Sequence, residues 1–363
     1  MAAKITGISR DLMIHPGETI ADVLEDRGIT QAELATRTGT TPAYVSNVIA
    51  GKKDISTNFA MALEYALGVP KSFWLNLQAN YDAELLELNQ ERTITEEERA
   101  VREMLADVVK YLRKIGKMPA GERKDASILS LRKALGISDI SRLGDLAPGG
   151  AFRISSSQQV NPYVLGAWIR LCQMEGEGRG VETRYDASKV DAMITEIKKI
   201  MLDMGADIQT DIRNVMKKYG IDFSVAVNFR GAPVQGYLSK KSDGTYQMIV
   251  TIRGSYADIF WFSLFHEIGH IVNGDVGKGA KFLDDGSDTE KEKRADLFAS
   301  NKLLDPDQYQ MFVAEKNFTI ESIERFAASQ DVMPYIVIGR LQKEQYLRYD
   351  QYSRYKLRFK WAE

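Results

Sequence analysis

The chain holds three histidines, and two of them, His266 and His270, stand four residues apart around Glu267. On a helix this spacing sets both imidazoles on one face, so two ring nitrogens can address one metal ion while the glutamate stands beside it. Zn²⁺ suits these donors, and a catalytic site takes three protein ligands and keeps one position for water. A third ligand is therefore expected nearby in the fold. Glu292 on the next helix can complete the site, and Asp296, four residues further on, is placed to hydrogen-bond the far nitrogen of a metal-bound histidine and fix its tautomer. Glu290 is a rival third ligand without that following aspartate. With zinc lowering the pKa of a water molecule, Glu267 becomes the base that takes the proton and returns it to the leaving amine. The developing oxyanion needs a second electrophile, for which Tyr237, Tyr246, Arg253 and Tyr256 are candidates.

Particular elements must hold these groups. The run DIFWFSLFHEIGHIVNG is a long apolar helix, followed by a polar loop rich in Gly and Asp and by a second helix, EKEKRADLFASNKLLD, that Pro306 ends. Before them the period alternates: IDFSVAVNF, PVQGYLSK and TYQMIVTIR read as strands, the last two as a hairpin about a Ser-Asp-Gly turn. The hairpin containing Tyr246 to Arg253 is expected to offer an edge for a substrate strand. Upstream, residues 89–205 read as a helical middle region with long loops, and residues 206–363 as the metal-binding domain with a helical tail. That tail carries Tyr346, Tyr349, Tyr352 and Tyr355 at three-residue spacing, which predicts a helix packing a tyrosine stripe on the domain.

Residues 1–88 have a different character, with five short amphipathic helices in sequence. Thr30, Thr41 and Ser56 are N-cap candidates, and Gly28, Gly39, Gly51 and Gly68 close the helices before them. The order in ITQAELATRTGTTPAYVSNVIAGKK is that of a helix-turn-helix: a positioning helix, a tight turn and a recognition helix. Leu34, Val45 and Ile49 are spaced to face the core, and Ala35 is small where the two helices cross. Thr40, Thr41, Ala43, Tyr44 and Asn47 then occupy the start and outer face of the recognition helix, where they can reach bases. Gln31, Lys52 and Lys53 are placed for phosphates. His15 reads as a surface or capping residue, and Cys172 as a buried small one.

Two resemblances follow from these motifs. The first eighty or so residues resemble the Cro/repressor helix-turn-helix family, and the opening HPGETIADVLEDRGITQAELA is most similar to the HigA-type antitoxins. The region from Ile221 to Leu304 resembles the ImmA/IrrE metallopeptidases through DIFWFSLFHEIGH and EKEKRADLFASNKLLDP. The second resemblance implies a zincin-like HExxH fold in which His266, His270 and Glu292 bind zinc, Glu267 is the catalytic base, and the targets are repressors or other regulatory proteins. Asp296 stands where asparagine is frequent in that family.

The chain is too long for one ordinary core, so several domains are expected, mainly α with a small β-sheet, an α+β class. A formal net charge of -2 shows no overall affinity for nucleic acid, so any DNA-binding surface is local. Residues 1–75 carry seven Lys and Arg against eight Asp and Glu. Binding through so neutral a module should be weak, salt-sensitive and dependent on a homodimer. One cysteine, no signal-like run and no apolar stretch of membrane length give the expectation of a cytoplasmic protein without a membrane partner. Two functions fit: a regulator that binds double-stranded operator DNA and cleaves a regulatory protein with zinc, or a non-enzymatic HigA-like antitoxin or repressor whose C-terminal domain senses a ligand or binds a toxin.

Overall fold

The computed structural model describes residues 13–147, 160–177, 180–234, 236–252, 256–277, 281–283 and 289–359. Its contacts divide the chain into two units, Met1–Arg99 with Arg123–Leu129 and Ala100–Glu122 with Ser130–Glu363.

The first unit contains α1 (Pro16–Arg27), α2 (Gln31–Thr38), α3 (Pro42–Ile49), α4 (Thr57–Leu67) and α5 (Lys71–Asn89). Thr30, Thr41 and Ser56 each accept a backbone N–H of the helix they open. This supplies a partner to one of the four N–H groups that a helix start leaves unpaired. His15 caps α1 in the same way through Nδ1 at 2.9 Å from the Gly17 nitrogen, but it is buried and meets Tyr81 edge-on rather than lying at the surface. Leu34, Ala35, Val45 and Val48 enter the core. Ile49, expected there, is only half-buried, because Val48 lies three residues after Val45 on the same helical face. Gly17 admits a close approach: a Cβ there would lie 2.2 Å from the Val48 carbonyl oxygen, so α1 begins hard against α3.

Two further helices, α6 (Glu96–Met104) and α8 (Lys124–Leu135), contribute residues to both units, while α7 (Ala106–Lys114) lies within the second. The second unit continues through α9 (Pro162–Glu175), α10 (Val190–Leu202) and α11 (Ile208–Lys218). It then forms β1 (Ile221–Ala226), β2 (Gly236–Lys240), β3 (Tyr246–Thr251), α12 (Ala257–Val272), β4 (Lys281–Leu283) and α13 (Thr289–Leu303). Last come α14 (Pro306–Ala314), α15 (Ile320–Ser329) and α16 (Pro334–Lys343). The strands make one sheet in the order β1-β3-β2-β4, with β1 parallel to β3 and the other pairs antiparallel. The hairpin read from the alternating period is the β2–β3 pair.

The edge expected of the hairpin containing Tyr246 to Arg253 is not open on its β3 side, for β3 lies between β1 and β2 and is buried along its whole length. Arg253 is outside the described residues. On the far side of β2, its partner is β4 from the polar loop. Helix α12 is apolar on nearly every face, as a helix buried all round must be, and it contacts β2, β3, α13 and α16. Helix α9 joins the same body: the Trp168 indole donates to the Val227 carbonyl at 3.0 Å, and the Gln247 amide to the Cys172 carbonyl at 2.7 Å. Cys172 is buried, as expected of a small core residue.

The tyrosine-rich tail is not the expected helix. After α16 it turns, and Tyr352 takes a left-handed φ of 57°. Tyr352 and Tyr355 pack against the core, whereas Tyr346 and Tyr349 face outward. The tail is held instead by backbone pairing, with the Ala257 N–H donating to the Leu357 carbonyl at 2.9 Å beside a Tyr256–Arg358 bridge.

Candidate metal centre and DNA-reading surface

Helices α12 and α13 cross where both have small residues. A Cβ on Gly269 would lie 3.1 Å from the Ala295 Cα, and Ala295 and Ala299 are completely buried. This close approach brings one turn of α13 against the face of α12 that carries His266 and His270. The two Nε2 atoms lie 3.0 Å apart, and the Glu292 carboxylate reaches them at 3.1 Å from His266 and 3.5 Å from His270. All three donor atoms fall within 4.8 Å of one another. Ligands about 2.0–2.2 Å from a tetrahedral ion stand roughly 3.3–3.6 Å from each other, so this spacing fits one small divalent cation.

The opposite ring nitrogens are also held. His266 Nδ1 lies 2.9 Å from Asp296 Oδ1, the partner expected from the sequence, and His270 Nδ1 lies 2.9 Å from Asp275 Oδ2. With each Nδ1–H donated to a carboxylate, each Nε2 presents its lone pair to the shared point. Asp275 was not singled out by the sequence. Its only local sign is a carboxylate five residues after His270 in a Gly-Asp turn, and nothing local says that it folds back. Arg294 anchors its second oxygen at 3.0 Å. Burial alone would raise the Asp296 carboxyl. The bonds from His266 and Lys343 outweigh that effect and hold the group below its usual range.

Glu267 is completely buried beside this cluster and faces β2. A Cβ on Gly236 would stand 1.7 Å from its Oε1, so the first residue of β2 has to be glycine to leave the carboxylate its place. Glu290 is exposed and pairs with Lys293 at 3.0 Å, apart from the three clustered donors. Of the electrophile candidates, Tyr237 is buried edge-on to Trp168, and that burial pushes its hydroxyl up to about 12. Tyr246 packs against Tyr185, and Tyr256 bonds to Arg358. None of the three lines the cavity that opens beside His266 and Glu292.

On the first unit, α2 and α3 are joined by the turn Gly39-Thr40-Thr41, and Gln31, Lys52 and Lys53 are exposed at its two flanks. The Thr41 hydroxyl accepts the Tyr44 N–H at 3.1 Å, and the Thr40 hydroxyl bonds Thr38 at 2.8 Å. Tyr44 is half-buried against Phe59, with the Lys53 ammonium 5.0 Å above its ring. Asn47 is half-buried, and its carbonyl accepts the N–H groups of Lys52 and Lys53. These contacts give Thr40, Thr41 and Tyr44 structural work in addition to any reach toward bases. Ser46 is exposed on α3 and was missed, although it stands three residues after Ala43 on the same face.

The cap pattern, the turn and the exposed α3 define this unit as a helix-turn-helix DNA-binding regulator. Residues 20–74 match the helix-turn-helix family model. Over 69 residues it is 41% identical to virulence-associated protein A' of Dichelobacter nodosus, across 19% of this chain and 60% of that protein's length. It is 36% identical to an antidote protein of a plasmid maintenance system from Nostoc punctiforme, covering 23% of this chain and 97% of that one, with a TM-score of 0.20. An addiction module antidote protein of the HigA family from Coxiella burnetii is 30% identical over 23% of this chain and 96% of its own, with a TM-score of 0.21. No helix among the described residues is long and apolar enough to cross a membrane.

Proposed function

We propose that this regulator carries a zinc-dependent endopeptidase of the ImmA/IrrE type in its second unit and cleaves a regulatory protein, while its first unit binds operator DNA as a homodimer. The observation that carries the reading is the convergence of His266, His270 and Glu292, from two helices, to within 4.8 Å. Zn²⁺ held there would supply Lewis acidity toward a water molecule and a peptide carbonyl. Glu267 takes a proton from water at a carboxylate oxygen and delivers it to the departing nitrogen. Its burial excludes bulk water and so strengthens each charge interaction around it. Asp275 and Asp296 keep the two imidazoles in the tautomer that directs Nε2 inward.

The test joins metal content to proteolysis. Wild type should hold one zinc per chain and His266→Ala almost none. Glu267→Gln should keep its zinc yet fail to cut co-expressed regulatory proteins that the wild type cleaves. Wild type without zinc, or undiminished cleavage by Glu267→Gln, would overturn the proposal.

The likeness to antidote proteins favours a second reading, in which the chain represses through DNA and binds a toxin without cutting anything. Operator repression together with capture of a co-expressed toxin, and no proteolysis by wild type, would establish that reading instead.

A further inference from the structure

A separate cavity of about 100 Å³ lies on the face of the sheet turned away from α12. Its floor includes Ile249, whose neighbours Met248 and Val250 point the other way into the core shared with α12. Trp168 of α9 forms one wall, and its N–H, donated to the Val227 carbonyl at 3.0 Å, fixes the ring. Tyr111 of α7 and Phe229 form another, meeting edge-on with ring centroids 5.6 Å apart. The turn that ends α7 makes the mouth. Gly116 takes a left-handed φ of 71° and Met118 is buried, which leaves Ile115 and Lys117 at the opening.

The lining decides the ligand. Apolar walls around a gap forgo dispersion contacts, and a ring of matching size restores them against Tyr111, Trp168 and Phe229. A closed apolar cavity of about 150 Å³ takes benzene. This one is smaller but open at its mouth, so a single ring fits with a polar substituent directed outward. Among the described residues its charged lining is Lys117 and Glu175, both exposed and opposite in sign. A charged ligand would lose hydration on entry, and whichever of the two residues attracted it, the other would oppose it.

We propose that this cavity binds a small uncharged aromatic molecule, one ring in size, and that Tyr237 conveys its occupancy to Glu267. Two contacts make Tyr237 the link: Ile249 is its cross-strand partner, and Trp168 meets its ring edge-on at 6.4 Å. Gly236, beside Tyr237 in β2, faces the opposite side of the sheet, where it leaves the Glu267 carboxylate its room. The binding site stands on the cavity alone, whereas its regulatory meaning rests on the hydrolase reading above.

The experiment titrates phenol into the full chain and follows methyl and backbone amide resonances by NMR. Saturable shifts are expected at the methyls of Ile115, Val225 and Ile249 and at the Gly236 amide, with none at Ile259 and Ile336, which line the cavity beside His266. Calorimetry should place phenol about 2- to 10-fold above cyclohexanol, the worth of the aromatic contacts. It should place phenol at least about tenfold above benzoate and benzylammonium. Ile249→Phe puts a ring of its own in the space and should abolish phenol binding. Shifts at Ile259 in place of Ile249, shifts that never saturate, or benzoate held as tightly as phenol would overturn the site. Shifts at the cavity methyls with a silent Gly236 amide would uphold the site and defeat the link to Glu267. None of these readouts needs zinc or cleavage, so the site and the hydrolase reading fail separately.

Discussion

Gly39 and Gly269 each lie in a helix pair that carries functional side chains, yet they are glycine for unlike reasons. Gly39 closes α2 with φ 64°, and a Cβ there would have open space around it. Its requirement comes from the backbone of its own turn, because a left-handed conformation is costly for other residues. Gly269 stands within α12, where a Cβ would press on Ala295 of another helix. Gly236 is a stronger case of the second kind, since its missing side chain is the space that the Glu267 carboxylate fills. In the helix-turn-helix unit a faulty glycine costs stability. At the candidate metal centre it displaces the Glu267 carboxylate.

The sharpest way to break this contrast is a pair of alanines. Gly236→Ala should displace the Glu267 carboxylate and lower peptidase turnover by about 100- to 10,000-fold, the usual worth of a general base. Zinc should remain near one per chain, because none of the three donors moves. Gly39→Ala should cost about 1–2 kcal/mol of unfolding free energy, read by denaturant titration, while operator binding persists below the melting transition. Full activity in Gly236→Ala would show that its place opposite Glu267 has no catalytic meaning.

A smaller effect tests whether the far sides of the histidines matter. Asp275→Asn removes the carboxylate that holds His270 Nδ1 and frees Arg294. Zinc affinity should fall about 10- to 100-fold, measured by competition with a chelator, and Asp296→Asn should fall in the same range. If Asp275→Asn binds zinc as tightly as wild type, the loop carboxylate is only a surface contact.

The two regions also differ in how far the sequence revealed them. Thr30, Thr41 and Ser56 were legible as caps because a cap is decided within three residues of its helix. His266, His270, Glu292 and Asp296 were legible because helical spacing alone puts each pair on one face. Asp275 and Gly236 were not, for each acts on a residue of a different element and has no periodic mark of its own. The same holds for β3: alternation identified a strand, but only the parallel pairing with β1 made it central and closed the expected edge on its side of the hairpin. In the tail, three-residue spacing of tyrosines suggested a helix, and backbone pairing with the start of α12 prevailed over it.

The smallest expected effect bears on whether the recognition helix obeys the local rule throughout. The Tyr44 N–H is shared between the Thr41 hydroxyl and the Thr41 carbonyl, so Thr41→Ala removes the side-chain half of this cap and leaves the backbone half alone. The loss should be about 1 kcal/mol, with Thr41→Ser restoring it. Operator affinity should then weaken evenly across base-pair variants, since the helix is destabilised as a whole and no single base loses a contact. Ser46→Ala provides the contrast, because Ser46 is exposed on α3 and has no capping duty. Its stability should match wild type, and any change should fall on one or two base pairs. If Thr41→Ala relaxes preference at one base pair with an unchanged melting curve, then the hydroxyl reads DNA and the capping bond is incidental.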